Sequence, residues 1–250
     1  MEQKKEFIVS YSSGSLFITF FPYKPFIFEK DELEIDAYYI ASNQAYQYSQ
    51  KLIEEYKAQG IEAYIPKINF KKTCAELGLG VIGMNDLLIH ETYGTRFAIS
   101  MVYVNGESLK LKVESLNEES STIHYSLFTI HCTRCRACVL ACPSKALDNG
   151  FNISKCLRQH MNTIRFDDET GKLFGNKIWG CDLCQRACPL NTVQAVRPPE
   201  HWQEKVKVSE FLKTLEENGD LSWLENDIGA NMVSRKRLLH MTRNALKNMR

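Results

Sequence analysis

Apolar and polar positions alternate in two stretches near the start of the chain, Phe7 to Val9 and Ser15 to Phe20 (SLFITF), and predict two strands able to pair as a hairpin. A proline-rich turn, Phe21 to Pro25, ends the second. From Ser42 to Gln59 the period lengthens to that of a helix. Ser42 or Asn43 is the expected N-cap, Ala45, Tyr48, Leu52 and Tyr56 form the apolar face, and Gly60 is the terminator. IEAYI alternates again as a short strand up to Pro66. Two more strands, Phe97 to Val104 and Leu109 to Val113, flank Asn105-Gly106, a strong hairpin-turn signal. After Pro198 and Pro199 the pattern predicts two amphipathic closing helices, Val208 to Glu217 and Val233 to Asn248. No low-complexity tract interrupts the chain.

Between these regular parts the hydrophobic pattern weakens and cysteine replaces it. Of nine cysteines, eight fall between His131 and Asn191: C-x2-C-x2-C-x3-C-P at Cys132, Cys135, Cys138 and Cys142, then Cys156, then C-x2-C-x3-C-P at Cys181, Cys184 and Cys188. The first run matches the two-cluster ferredoxin pattern, in which three close thiolates hold one cubane and the fourth, before proline, reaches the other. Two residues between ligands let the backbone curl around one corner with its N–H groups toward sulfur, while the x3-C-P step turns the next cysteine away. By that logic Cys132, Cys135, Cys138 and Cys188 hold one [4Fe-4S] cluster. Cys142, Cys181 and Cys184 need one more ligand, and Cys156 is the candidate left in the region. Zinc, the competing use of C-x2-C pairs, has no need of two C-P endings. Cys74 stands apart in KKTCAELG and reads as a packed helical thiol.

At 250 residues the chain is long enough to bury a sizeable core. No stretch approaches 18 apolar residues, so no membrane span is expected, and MEQKKEFIVS carries no apolar signal segment, which points to the reducing cytoplasm. The net charge of +1 decides nothing about nucleic acid. It is unevenly spread, however: from Ile228 onward there are Arg235, Lys236, Arg237, Arg243, Lys247 and Arg250 and no acid, a run that reads first as a solvated helix face and second as a phosphate-binding patch. Gly78-Leu79-Gly80-Val81-Ile82-Gly83 satisfies G-x-G-x-x-G, but the preceding NFKKTCAEL looks helical and the following residues head into a strand, the wrong context for a dinucleotide site. Gly78, Gly80 and Gly83 are better read as a tight loop against a cofactor or cluster, or as a plain helix cap. Tyr46 and His90 are candidates to supply a proton, against the simpler expectation that each is packed.

Several pieces together resemble one family. GLGVIGMNDLLIHETYGTRFAIS, HCTRCRACVLACPSKAL, Cys156, GNKIWGCDLCQRACPLN and SRKRLLHMTRNAL are similar, in this order, to segments of epoxyqueuosine reductase. The resemblance implies a cobalamin-dependent iron-sulfur enzyme acting on epoxyqueuosine in tRNA, an electron donor such as a ferredoxin or flavodoxin, and the same cysteine split. The departures are specific. The family's long domain ahead of Ser15 has almost no counterpart, its helical repeats are cut to about one pair, Gln44 stands where the resemblance places a catalytic aspartate, and Val81 and Met84 replace a tryptophan and a lysine of the glycine loop. The resulting expectation is an α+β fold: a domain over 1–120 resembling part of the family's catalytic domain, a ferredoxin-like double [4Fe-4S] segment over 121–197, and a helical tail over 198–250. Its function is either an epoxyqueuosine-reductase-like oxidoreductase or an electron-transfer module without its own cobalamin chemistry.

Overall fold

The computed structural model describes residues 4–106 and 132–249. The fold is mixed, with small sheets and many short helices, as the pattern predicts. The chain divides into two compact units, one made of 1–23, 41–83 and 87–133, the other of 24–40, 84–86 and 134–250.

In the first unit, β1 (Lys5–Tyr11) and β2 (Gly14–Pro22) form the expected hairpin, and β2 also pairs antiparallel with β7 (Phe97–Asn105). With β4 (Ala63–Tyr64) the order is β1-β2-β7-β4. Because side chains alternate across a strand, Leu16, Ile18 and Phe20 share one face with Phe97, Met101 and Tyr103. That face is covered by Cys74 of α2 (Phe70–Glu76) and by Leu79, Leu88 and Tyr93, which come from or flank the short hairpin of β5 (Val81–Ile82) and β6 (Leu88–Ile89). On the opposite face Val102 and Val104 meet Ile53, Leu52 and Tyr56 of the long helix α1 (Tyr38–Ala58). A central strand buried on both faces reads as almost continuous apolar sequence, which is why SLFITF is so dense.

The sequence places the start of α1 at Ser42 or Asn43; the helix begins at Tyr38 instead. Asp36 Oδ1 accepts the Tyr38 N–H at 3.0 Å, so a carboxylate caps the first turn four residues early. Ser49, not Tyr48, is the deep polar member of the inner face, its Oγ 2.7 Å from Ser100 Oγ on β7. The expected strand Leu109 to Val113 lies outside the described residues.

His90 is 3% exposed, stacked on Tyr93 at 4.9 Å and edge-on to Phe20 at 5.5 Å, and its Nδ1 accepts the Thr92 N–H at 3.1 Å. Burial, aided by the charge of Lys5, pushes its pKa down from 6.5 to about 4. The native ring is therefore neutral at pH 7, and this candidate proton donor is a packed, uncharged residue. Its contribution to stability is complete above pH 6.5 and is lost as the pH falls toward 4, because over that window the unfolded imidazole takes up a proton that the native one refuses. Urea unfolding of wild type and His90→Phe should show the wild type losing roughly 2 kcal/mol more between about pH 7.5 and 4.5. Parallel pH profiles would refute this.

In the second unit, β3 (Glu34–Ile35) runs parallel to β8 (Lys177–Trp179). The core around Trp202, Phe211 and Trp223 is built by α7 (Glu200–Gln203), α8 (Val208–Glu216) and α9 (Ser222–Ile228). Trp202 Nε1 donates to Asp227 at 2.6 Å, satisfying the one polar atom of a fully buried ring. The last helix, α10 (Arg235–Asn248), begins two residues after the expected Val233. The tail thus holds more helix than the two expected pieces, since α7 and α9 are too short for periodicity to reveal.

Candidate metal centre

Seven of the eight clustered cysteines lie in the second unit, and Cys132 lies at the end of the first. None is in a disulfide; Cys135 is exposed, Cys138 buried and the rest half-buried. The loop entering the first run contains two non-glycine residues in the left-handed region, Arg134 (φ 54°) and Arg136 (φ 64°). Such residues are uncommon and cost strain. Left-handed residues of this kind recur where successive N–H groups form concavities that cradle anions and iron-sulfur clusters.

Arg136 is followed by α3 (Ala137–Leu140), which carries Cys138. Cys142 comes just after it, its Sγ accepting the Ala146 N–H at 3.3 Å with Ser144 Oγ at 3.6 Å. Cys156 occupies the N-cap position of α4 (Leu157–Thr163). Cys181 follows β8 and Gly180, Cys184 sits on α6 (Leu183–Arg186), and Cys188 follows that helix. Between α4 and β8 lies α5 (Asp168–Leu173). Helices α3 and α6, more than forty residues apart in sequence, pack together, so the two runs meet.

The thiols brought together are Cys138, Cys142, Cys156, Cys181 and Cys184. Burial pushes Cys184 up to about 12, and the next largest causes are its neighbours Cys181, Cys156, Cys142 and Cys138. Cys181 is pushed up to about 11, again by burial first, with partial relief from the Leu183 N–H and Lys177, against Asp182 and Cys156. Crowded buried thiols of this kind ionise when a cation takes up their charge, the chemistry of a thiolate cluster site. Val139, Leu147 and Met84 pack with Cys138, Cys142 and Cys184 as an apolar wall. Among the described residues no three ligating side chains converge as they would around one ion. A cubane does not ask for that, since each cysteine binds a different corner.

The glycines of the G-x-G-x-x-G stretch belong to the first unit. Gly78, at φ 72°, closes α2 with its N–H on the Ala75 carbonyl at 3.0 Å, the helix-cap role. A Cβ on Gly80 would stand 2.5 Å from the Ile89 carbonyl oxygen, so this glycine lets β5 and β6 approach. Gly83 donates to the Leu87 carbonyl at 2.9 Å within the same hairpin. Tyr46 and Gln44 are exposed on α1, whereas Cys74 is buried and held at about 12, an inert core thiol.

Residues 131–191 match the family model described as a 4Fe-4S double cluster binding domain. Curated proteins similar to this chain are epoxyqueuosine reductases. That of Aliivibrio fischeri is 26% identical over 76% of this chain and 54% of its own length, and that of a Synechococcus strain is 34% identical over 48% of this chain and 35% of its own. The chain is similar to the epoxyqueuosine reductases. It spans about half the length of the curated relatives it matches. Solved epoxyqueuosine reductases share the fold: that of Bacillus subtilis has a TM-score of 0.63 at 18% identity over 95% of this chain and 65% of its own, and that of Streptococcus thermophilus 0.62 at 19% over 94% and 65%. Another similar structure, with a TM-score of 0.61 at 18% identity over 94% of this chain and 64% of its own, is an epoxyqueuosine reductase with an epoxyqueuosine-modified tRNA stem loop.

Some neighbours of the site had no sequence signal. Tyr39 packs on Trp179 at 5.5 Å, Arg158 lies over Tyr38 and Tyr39 at 4.7 and 5.3 Å, and Arg237 lies 3.9 Å above Trp179. These residues come from four separate segments, and no spacing rule links them. Met84 in the glycine loop, Trp179 in GNKIWGCDLCQRACPLN and Arg237 in the basic run lay in stretches already marked, but nothing in the sequence made them neighbours.

Proposed function

We propose that the chain is an iron-sulfur oxidoreductase of the epoxyqueuosine reductase type, whose two [4Fe-4S] clusters pass low-potential electrons toward a substrate site. The observation that carries this reading is the meeting of Cys138, Cys142, Cys156, Cys181 and Cys184 inside a segment that matches a double-cluster domain. The ligand sets proposed are Cys132, Cys135, Cys138 and Cys188 for one cluster, and Cys142, Cys156, Cys181 and Cys184 for the other. When bound, such clusters supply one-electron storage over a wide range of potentials. The protein's own part is to orient and tune. The N–H groups of Ala146 and Leu183 point at the sulfurs of Cys142 and Cys181, while Val139, Leu147 and Met84 keep water off that side.

Cobalamin is the cofactor the resemblance implies, and the glycine loop adds no support for it, since Gly78, Gly80 and Gly83 make their close approaches to this chain's own helix end and hairpin. A tRNA substrate is supported by the neighbour solved with a tRNA stem loop. The basic tail adds little to it. Arg235 caps α8 through the carbonyls of Thr214 and Leu215, Arg237 lies on Trp179, and Arg243 pairs with Glu216. The second reading, an electron-transfer module, is favoured by exposed Gln44, since an amide cannot act as a general acid.

Protein purified anaerobically from iron-replete cells should contain about eight irons and eight labile sulfides per chain, with a broad absorbance near ~400 nm that bleaches with dithionite. Stoichiometric zinc without labile sulfide would overturn the proposal.

A further inference from the structure

Lys177, the first residue of β8, lies opposite Glu34 in the parallel pairing of β3 with β8, and its Nζ is 3.0 Å from Glu34 Oε2. Its side chain is only 14% exposed. The same carboxylate has Arg186 Nη2 at 3.8 Å, and Arg186 Nε pairs with Asp182 Oδ1 at 2.7 Å. Arg186 also donates to the Phe26 carbonyl at 3.3 Å. These four charged side chains, together with Asp36, line a narrow pocket whose wall includes Gly180. Gly180 and Asp182 flank Cys181, so the charges gather where the chain presents this cysteine. The pocket holds about 10 Å³, room for a water molecule at most. No organic ligand fits there, and the charges act on this chain's own groups.

A charge held out of water reaches further than an exposed one, because less solvent screens it. Burial raises the pKa of the Cys181 thiol; of the charged side chains, Lys177 opposes that rise, and Asp182, which adds to it, is paired with Arg186. The potential of an iron-sulfur cluster follows the charge around it, since reduction adds a negative charge to the cubane. We propose that Lys177 sets the reduction potential of the cluster assigned to Cys142, Cys156, Cys181 and Cys184, its ammonium held beside Cys181 by Glu34 so that it favours the reduced state. The proposal rests on the double-cluster reading above and adds a residue that tunes one of the two. When a one-electron donor is oxidised and this cubane is reduced, no bond is made or broken, and the fixed ammonium stabilises the added charge.

The test is a potentiometric titration of the cluster-loaded protein read by low-temperature paramagnetic resonance, the signal of this cluster being the one that Cys156→Ala erases. Lys177→Gln and Lys177→Met remove the charge, Lys177→Arg keeps it, and Glu34→Gln removes the anchor while leaving the cation. The expected result is a reduction equilibrium about tenfold less favourable in either neutral variant, a fall of about 59 mV for one electron. Lys177→Arg should restore most of it, and the other cluster should move less. Glu34→Gln should not lower the potential, whereas a merely structural tie between β3 and β8 would make it behave like Lys177→Gln. An unchanged potential in a loaded neutral variant would overturn the proposal, as would an equal fall in Lys177→Arg or Glu34→Gln, or an equal shift of both clusters. Loss of this cluster from both neutral variants would make Lys177 a fastening of the cysteine loop and overturn it too. A wild type without two cluster signals would instead refute the double-cluster reading.

Discussion

Cys156→Ala and Cys184→Ala should each retain about four irons of the roughly eight expected, and each should erase the same paramagnetic signal of the reduced protein. Cys135→Ala and Cys188→Ala should erase the other. For the first pair the assignment rests on electrostatic crowding joined to spacing: Cys181, Cys156, Cys142 and Cys138 all bear on Cys184, the spacing gives Cys138 to the other cluster, and replacing any one of the remaining four leaves a corner of the cubane without its thiolate. For the second pair it rests on spacing, in which the C-P step sends Cys188 away from Cys184 despite their being four residues apart. Iron and sulfide analysis with low-temperature paramagnetic resonance reads both. If Cys188→Ala and Cys184→Ala disturb one common cluster and leave the Cys135 cluster intact, the interleaved assignment is wrong.

The second large effect is a loss of function. In a bacterium lacking epoxyqueuosine reductase, expression of this chain should leave epoxyqueuosine in the tRNA, measured by mass analysis of its nucleosides. A proton donor must be ionisable near working pH and within reach of the substrate. Residues 40–46 read IASNQAY, with no carboxylate, and Gln44 is exposed on α1. Asp36, the nearest acid before them, is used to cap that helix. His90 is neutral and packed. Restored queuosine would refute this account and leave Asp36 or Tyr46 as the donor to find by mutation.

The parts of the fold legible in the sequence are those with a strong period or an obligatory turn. SLFITF and FAISMVYV were readable because a central strand is apolar on both faces, and α1 because its inner stripe, Ala45 to Tyr56, recurs over about three turns. Its start was misplaced because Asp36 caps from outside the periodic region, where the sequence offered Ser42 and Asn43 as equally good candidates. The cysteine pattern was legible because ligand spacing follows the cluster and not the fold. The surroundings of the site were not: Tyr39, Arg158, Trp179 and Arg237 meet through tertiary packing, and although Trp179 and Arg237 lay in marked segments, no spacing rule pairs them.

The amides of Asn244 and Asn248 on α10 reach back to the Gly171 carbonyl at 2.8 and 3.0 Å, and Asn248 also bonds Gly175 at 3.0 Å. These bonds clamp the turn that leads through β8 into Cys181. Synthesis runs from the N-terminus at about 5–20 residues per second, so the second cysteine run leaves the ribosome before the helix that fastens it exists. The thiols of Cys181 and Cys184 therefore acquire their final setting among the last parts of the described chain, and iron delivered earlier meets a site still missing its fastening.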